Sequence, residues 1–116
     1  KAIWSLSNLV FLELEVHSFH WMTLSRILLR VEKLKQLEVL VLKEAQTMRE
    51  NEISITKVKL DGMMKEHWNL KLVVFVRMGV QEMMIFKREY SWSKINSIIE
   101  DLSFEEYLKV EFIKSY

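Results

Sequence analysis

Two histidines three residues apart, His17 and His20, follow directly on a run that carries Glu13 and Glu15. Imidazole nitrogen and carboxylate oxygen are ligands for zinc and related divalent ions, so His17, His20 and Glu15 form the candidate metal set. The spacing puts a condition on the backbone. Along a strand, positions 17 and 20 face opposite sides, so one ion meets both imidazoles only if the chain turns at Ser18 or Phe19. Without that turn the histidines are a plain strand end and loop. His67 could complete the set only from a hairpin tip folded toward this first loop. Ser18, between the two histidines, is the natural nucleophile if either acts as its base, but adjacency in sequence does not supply hydrogen-bond geometry.

Most other chemistry lacks its residues. With no cysteine there are no thiolate nucleophiles, disulfides, zinc fingers or iron–sulfur ligands, and the chain suits a reducing, cytoplasmic compartment. Two glycines cannot build most phosphate-binding loops, and no Gly-x-Ser-x-Gly elbow or His-Glu-x-x-His helix occurs. Glu100-Asp101 and Glu105-Glu106 are adjacent acids of the kind that solvate or cap helix ends. No cofactor is implied. The residues favour a non-enzymatic module, with a metal-assisted enzyme or metal-binding domain built on His17 and His20 as the alternative.

These residues depend on elements that hydrophobic period must define, because two glycines and no proline leave little punctuation. Leu12, Leu14 and Val16 alternate with Glu13, Glu15 and His17, which predicts a first strand within 9–17. From Thr23 to Glu50 an apolar stripe through Leu24, Ile27, Leu28, Val31, Leu34, Leu37, Val41, Ala45 and Met48 predicts one long helix, capped by Thr23 or Ser25. The β-branched run 53–60, the dipeptide Asp61-Gly62 and the run 70–78 together predict a hairpin with a type I′ turn, pairing Leu60 with Met63 and Ile53 with Leu70. Beyond Gly79, Val80, Met83 and Met84 suit a helix, whereas Met84 to Phe86 suits a strand. Ser93 then caps a short helix through Ile95, Ile98, Ile99 and Leu102. Alternation from Leu108 to Phe112 predicts a last strand, against a rival helix begun by Ser103 and Glu106.

Strand, helix, hairpin, helix, strand is an α+β order of the ferredoxin-like kind, β-α-β-β-α-β, with a four-stranded antiparallel sheet and both helices on one face. A single domain over 1–116 is expected from the length. The face away from the helices would carry Glu13, Glu15 and His17 beside Lys71, Val73, Phe75 and Arg77. Val73 and Phe75, with Ile113 from the last strand, are therefore the expected interface.

The strand 9–16 entering a helix, the pairing of 53–60 with 70–76, and Ile95, Ile98, Ile99 and Leu102 leading into Leu108 to Phe112 together resemble the ACT-like regulatory domains. Those include the cytosolic domain of MgtC/SapB-type membrane proteins. The likeness spans about residues 9 to 114 and implies a regulatory domain that associates through its sheets or helices and passes a signal to an attached partner. Such domains carry a glycine where the first strand enters the helix and an amino-acid effector docks. Here His17-Ser18-Phe19-His20-Trp21-Met22 has none.

Seventeen Lys plus Arg against sixteen Asp plus Glu give a net charge of +1, which offers polyanions no electrostatic footprint, so no nucleic acid is expected. Phe75 sits where an RNA-binding sheet would stack a base, but acids occupy the neighbouring strand. No apolar run reaches the roughly 20 residues that span a bilayer, so no transmembrane segment is expected. Met83-Met84-Ile85-Phe86 followed by Lys87-Arg88 suits core packing or a dimer interface, with a membrane surface as the other reading. The expected partners are a second copy or an attached domain, with a small-molecule effector as a further class. A designed sequence selected for folding alone is a third possibility.

Overall fold

The computed structural model describes residues 8–16, 21–44, 49–67, 69–77, 82–88, 91–101 and 109–115, with backbone alone for 21–23, 99, 101 and 109–115. The described elements are β1 (Phe11–Val16), α1 (Trp21–Glu32), β2 (Val39–Glu44), α2 (Glu50–Glu66), β3 (Leu72–Arg77), β4 (Glu82–Lys87), α3 (Trp92–Asp101) and β5 (Lys109–Ser115). All five strands join one sheet in chain order. β1, β2 and β3 are parallel, β4 is antiparallel to β3, and β5 is parallel to β4. The chain is thus α+β, but the sheet is mixed and five-stranded, which corrects the expected four-stranded antiparallel arrangement. The order β-α-β-β-α-β does occur from β2 to β5, preceded by β1 and α1. Its strands lie side by side rather than interleaved.

Handedness explains where the helices fall. A right-handed crossover between parallel strands puts α1 and α2 on one face, and the reversal of direction at β4 sends α3 to the other. The buried residues divide in the same way. Leu12, Leu40, Leu42, Val73, Phe75, Met84 and Phe86 pack with Leu24 and Val31 of α1 and with Leu60, Met63 and Met64 of α2. Val39, Val41, Leu72, Val74, Val76, Met83 and Ile85 pack with Ile95 of α3. β3 is central and buried along its whole length, so both its faces are apolar and strict alternation is absent.

Two sequence expectations fail for the same reason. The predicted helix over 23–50 ends at Glu32, where Lys33 and Leu34 donate to the carbonyls of Arg30 and Val31 in a tightened last turn. Leu34 and Leu37 extend the helical stripe, yet they belong to the turn, and the unbroken run Val39 to Leu42 is a buried parallel strand. A continuous apolar run satisfies helix and strand templates alike.

The predicted hairpin of 53–60 and the following strand is instead α2 on its first side. Ile53, Thr56, Leu60, Met63 and Met64 recur at helical spacing and form its buried face. The Thr56 hydroxyl donates to the Glu52 carbonyl at 2.8 Å, which satisfies a buried polar group within the helix. Asp61-Gly62, read as a turn, lies inside this helix, where Asp61 pairs with Lys65 one turn on at 3.3 Å.

The ambiguous segment after Gly79 contains β4, and a short helix and a last strand follow as expected. The cap of α3 is Ser91 rather than Ser93: the Ser91 hydroxyl oxygen accepts the Lys94 backbone N–H at 3.2 Å. Lys87 lies over the Trp92 ring at 5.3 Å from its centroid and links the end of β4 to the start of α3.

Candidate functional site

The parallel strands β1 to β3 end along one edge of the sheet, at Val16, Glu44 and Arg77, which are successive partners in register. Glu82, the first residue of β4, completes the row beside Arg77. Alternation along each strand sets this row on the α1/α2 face, below Leu42 and Phe75. Arg77 lies between two acids: its Nε is 3.6 Å from Glu44 Oε2, and its Nη1 donates to Glu82 Oε1 at 3.1 Å. Glu44 and Arg77 are both buried. A buried carboxylate requires a nearby cation, and Arg77 supplies it. The row therefore ties three adjacent strands together at their ends, and its groups already engage one another.

The predicted metal set is not assembled among the described residues. Glu15 is exposed on the opposite face of β1, beside Lys43 in register. On that face Lys43 Nζ also reaches Glu13 Oε2 at 2.5 Å, so the acids of β1 meet a lysine of β2 rather than the basic residues of β3. His17 and His20 lie outside the described residues. No three His, Asp or Glu side chains among the described residues come together as metal ligands.

The expected interface is corrected as well. Val73 and Phe75 are completely buried beneath α1 and α2, not on a face that the helices leave open. The extra β-α unit reverses the expected geometry, because it places a helix over the face predicted to be free. Ile113 falls in β5 at the register shift between Phe112 and Lys114.

His67 is part of the framework. It caps the C-terminus of α2, with its backbone N–H donating to the Met63 carbonyl at 2.8 Å. Its Nδ1 accepts the N–H groups of Asn69 and Leu70 at 3.2 and 3.0 Å, so Nε2 carries the proton and donates to the Leu34 carbonyl at 3.1 Å. Burial lowers its pKa, and the positive charges of Lys35 and Arg88 act in the same direction against the hydrogen bond to Leu34. Arg88 in turn donates to the His67 carbonyl at 3.2 Å and to the Met64 carbonyl, placing a cation at the negative end of α2.

A different feature stands open to solvent. Between α1 and α2 lies a cleft of about 340 Å³, walled on the α1 side by Ser25, Leu28, Leu29 and Glu32. Lys59, Gly62, Met63 and Glu66 form its α2 side. Leu29 is 60% exposed, and on α2 Ile55 and Val58 are 44% and 71% exposed. A second hollow of about 330 Å³ lies against Ser54, Ile55, Val58 and Lys59.

Gly62 is unusual in this setting. A Cβ built there would meet nothing within 4 Å, so internal packing does not require a glycine. In a helix interior glycine is about 0.8–1.0 kcal/mol less favourable than alanine. The fold thus carries a local weakness whose visible effect is a bare patch of α2 backbone in the cleft.

No family model, curated protein or solved structure matches the chain. Geometry alone must then decide between the two places, and they differ in kind. The charged row centres on buried Glu44 and Arg77 and is internally paired, as a framework element is. The cleft is concave, lined by apolar Leu28 and Met63 and by exposed Leu29, as a docking surface is. A strand over 53–60 with a turn at Asp61-Gly62 hides this cleft, because Lys59, Gly62, Met63 and Glu66 come together only at helical spacing.

Proposed function

We propose that the chain is a non-enzymatic oligomerisation module that joins a second copy of itself through the outer face of α1 and α2, and so serves as a regulatory or assembly domain. The observation that carries this reading is the presence on one outer layer of exposed Leu29 in the α1/α2 cleft and exposed Ile55 and Val58 at the second hollow on α2, with Lys59 lining both. Single exposed aliphatic residues are ordinary, but several on adjacent helices around a concavity form a patch that favours a protein partner. The net charge of +1 leaves little repulsion between copies. Support comes from the helical face alone and not from the likeness to ACT-like domains, whose fully antiparallel sheet this chain does not have. No described helix is long and apolar enough to cross a membrane.

Sedimentation velocity from micromolar to submillimolar concentration tests the reading. The expected result is a mass that rises from one chain to two as concentration increases. A single-chain mass throughout that range would falsify self-association.

A further inference from the structure

We infer that the α1/α2 cleft binds a small apolar amine, an alkyl or aromatic body with one ammonium group, and that the ammonium sits between Glu32 and Glu66. The inference concerns the cleft of a single chain and holds whether or not two copies associate. Each wall is one helical stripe of about two turns. Ser25, Leu28, Leu29 and Glu32 form the first, and Lys59, Gly62, Met63 and Glu66 repeat its spacing on α2. Both helices return the chain from one parallel strand to the next, so they run in the same direction. Like ends of the two stripes therefore coincide. Glu32 and Glu66 lie at one end of the cleft, and Ser25 and Lys59 at the other, about 10 Å away along the helices.

The acidic end is suited to a cation. Glu32 and Glu66 are the last residues of their helices, where the terminal carbonyls add negative potential. Arg88 meets the carbonyls of Met64 and His67, but among the described residues neither Glu32 nor Glu66 has an ion-pair partner. Both are exposed, so an ammonium reaches them from solvent. Between the two ends the cleft is apolar through Leu28, Leu29 and Met63. Nothing lies within 4 Å of a Cβ built at Gly62, so the body of a ligand can rest on α2 where a side chain would otherwise stand. The volume of about 340 Å³ is near the lower end of the range for ligand pockets, about 300–1,000 Å³. That suits a single ring or a short alkyl chain rather than a nucleotide.

Charge then selects among ligands of that size. An anion is repelled at the Glu32/Glu66 end, and a neutral body gains only the burial of its apolar surface. An amine gains that burial together with two opposite-charge contacts.

Titration of the dilute, isotope-labelled chain at neutral pH, followed by its backbone amide resonances, tests the site. The probes are phenethylamine, phenethyl alcohol and hydrocinnamate, which share one apolar body and differ in charge. The expected result is saturable shifts centred on the two stripes, with the amine binding about tenfold or more tightly than the alcohol and the carboxylate not binding. Equal affinity for amine and alcohol, shifts centred elsewhere, or no saturation by the amine overturns the inference.

Two variants check the parts of the site. Combining Glu32→Gln with Glu66→Gln should reduce the amine to the affinity of the alcohol with unchanged helical circular dichroism, because both side chains are exposed. Amine binding as tight as in the original chain would remove the acids from the site. Gly62→Leu should abolish binding of amine and alcohol alike, since its side chain enters space that nothing in the chain occupies. Binding that survives this substitution would overturn the cleft as the location.

Discussion

The imidazole of His67 donates its Nε2 proton to the carbonyl oxygen of Leu34, 3.1 Å away, and so ties the end of α2 to the turn that follows α1. The bond works only in one protonation state, because Nδ1 accepts two backbone N–H groups and has no room for a proton of its own.

A pH dependence follows from this, with a definite sign. Burial holds the folded-state pKa of His67 below its ordinary value, so the unfolded chain binds the proton first. Stability due to His67 is complete above about pH 6.5 and is lost as pH falls toward the folded-state value. Urea midpoints at about pH 7.5 and about pH 5.5 should therefore differ, with the acid midpoint lower. In His67→Gln the difference should shrink. An equal pH response in the variant and the original chain would remove His67 as its source.

Arg77→Met should be among the most damaging single substitutions. It leaves Glu44, 1% exposed, without the cation beside it, and breaking such a buried pair from one side typically destabilises by about 3–5 kcal/mol. Arg77→Met combined with Glu44→Leu should recover much of that loss, because no buried charge then remains at that point of the row. A double-mutant cycle in chemical denaturation measures the coupling. Additive losses would mean that the two residues stabilise the strand ends independently.

Gly62→Ala should stabilise the isolated chain by up to about 1 kcal/mol. The position lies inside α2 and a Cβ there meets nothing. Thermal unfolding at a concentration too low for dimers gives the comparison. A lower melting temperature in the variant would contradict the helical assignment.

Phe75→Ala should cost about 3–5 kcal/mol, as loss of a buried phenylalanine does. Phe75→Glu should unfold the chain, since it would place an unpaired carboxylate under α1 and α2. Circular dichroism distinguishes that outcome from dissociation. A folded Phe75→Glu monomer would instead restore Phe75 as an interface residue.

Element types were legible in the sequence where one period dominated, and illegible where two coincided. β1 alternates Leu12, Leu14 and Val16 with acids because only one of its faces is covered, so the period of two survives. β2 has both faces covered, and Leu37 to Leu42 consequently blends into the stripe of α1. In α2 the β-branched Ile53, Ile55 and Val58 imitate a strand locally, while the deciding signal, burial at 53, 56, 60, 63 and 64, emerges only over several turns. Asp61-Gly62 added a turn signature with no turn behind it. The same ambiguity reaches the site: a strand over 53–60 leaves the Phe75 face open, whereas the helix α2 covers it. The row of buried Glu44 and Arg77 with half-buried Glu82 depends on register between separate strands, which no local spacing encodes.

The arrangement of strands in chain order bears on how the protein is made. Each strand pairs with the one before or after it in the chain, so every ladder closes across a single connection, short between β3 and β4 and a helical crossover elsewhere. Loop-closure entropy is then met one crossover at a time. A ribosome releasing this chain would present β1, then α1, then β2, each able to settle on what had already emerged, and the growing sheet would keep β1 as one border while its newest strand formed the other.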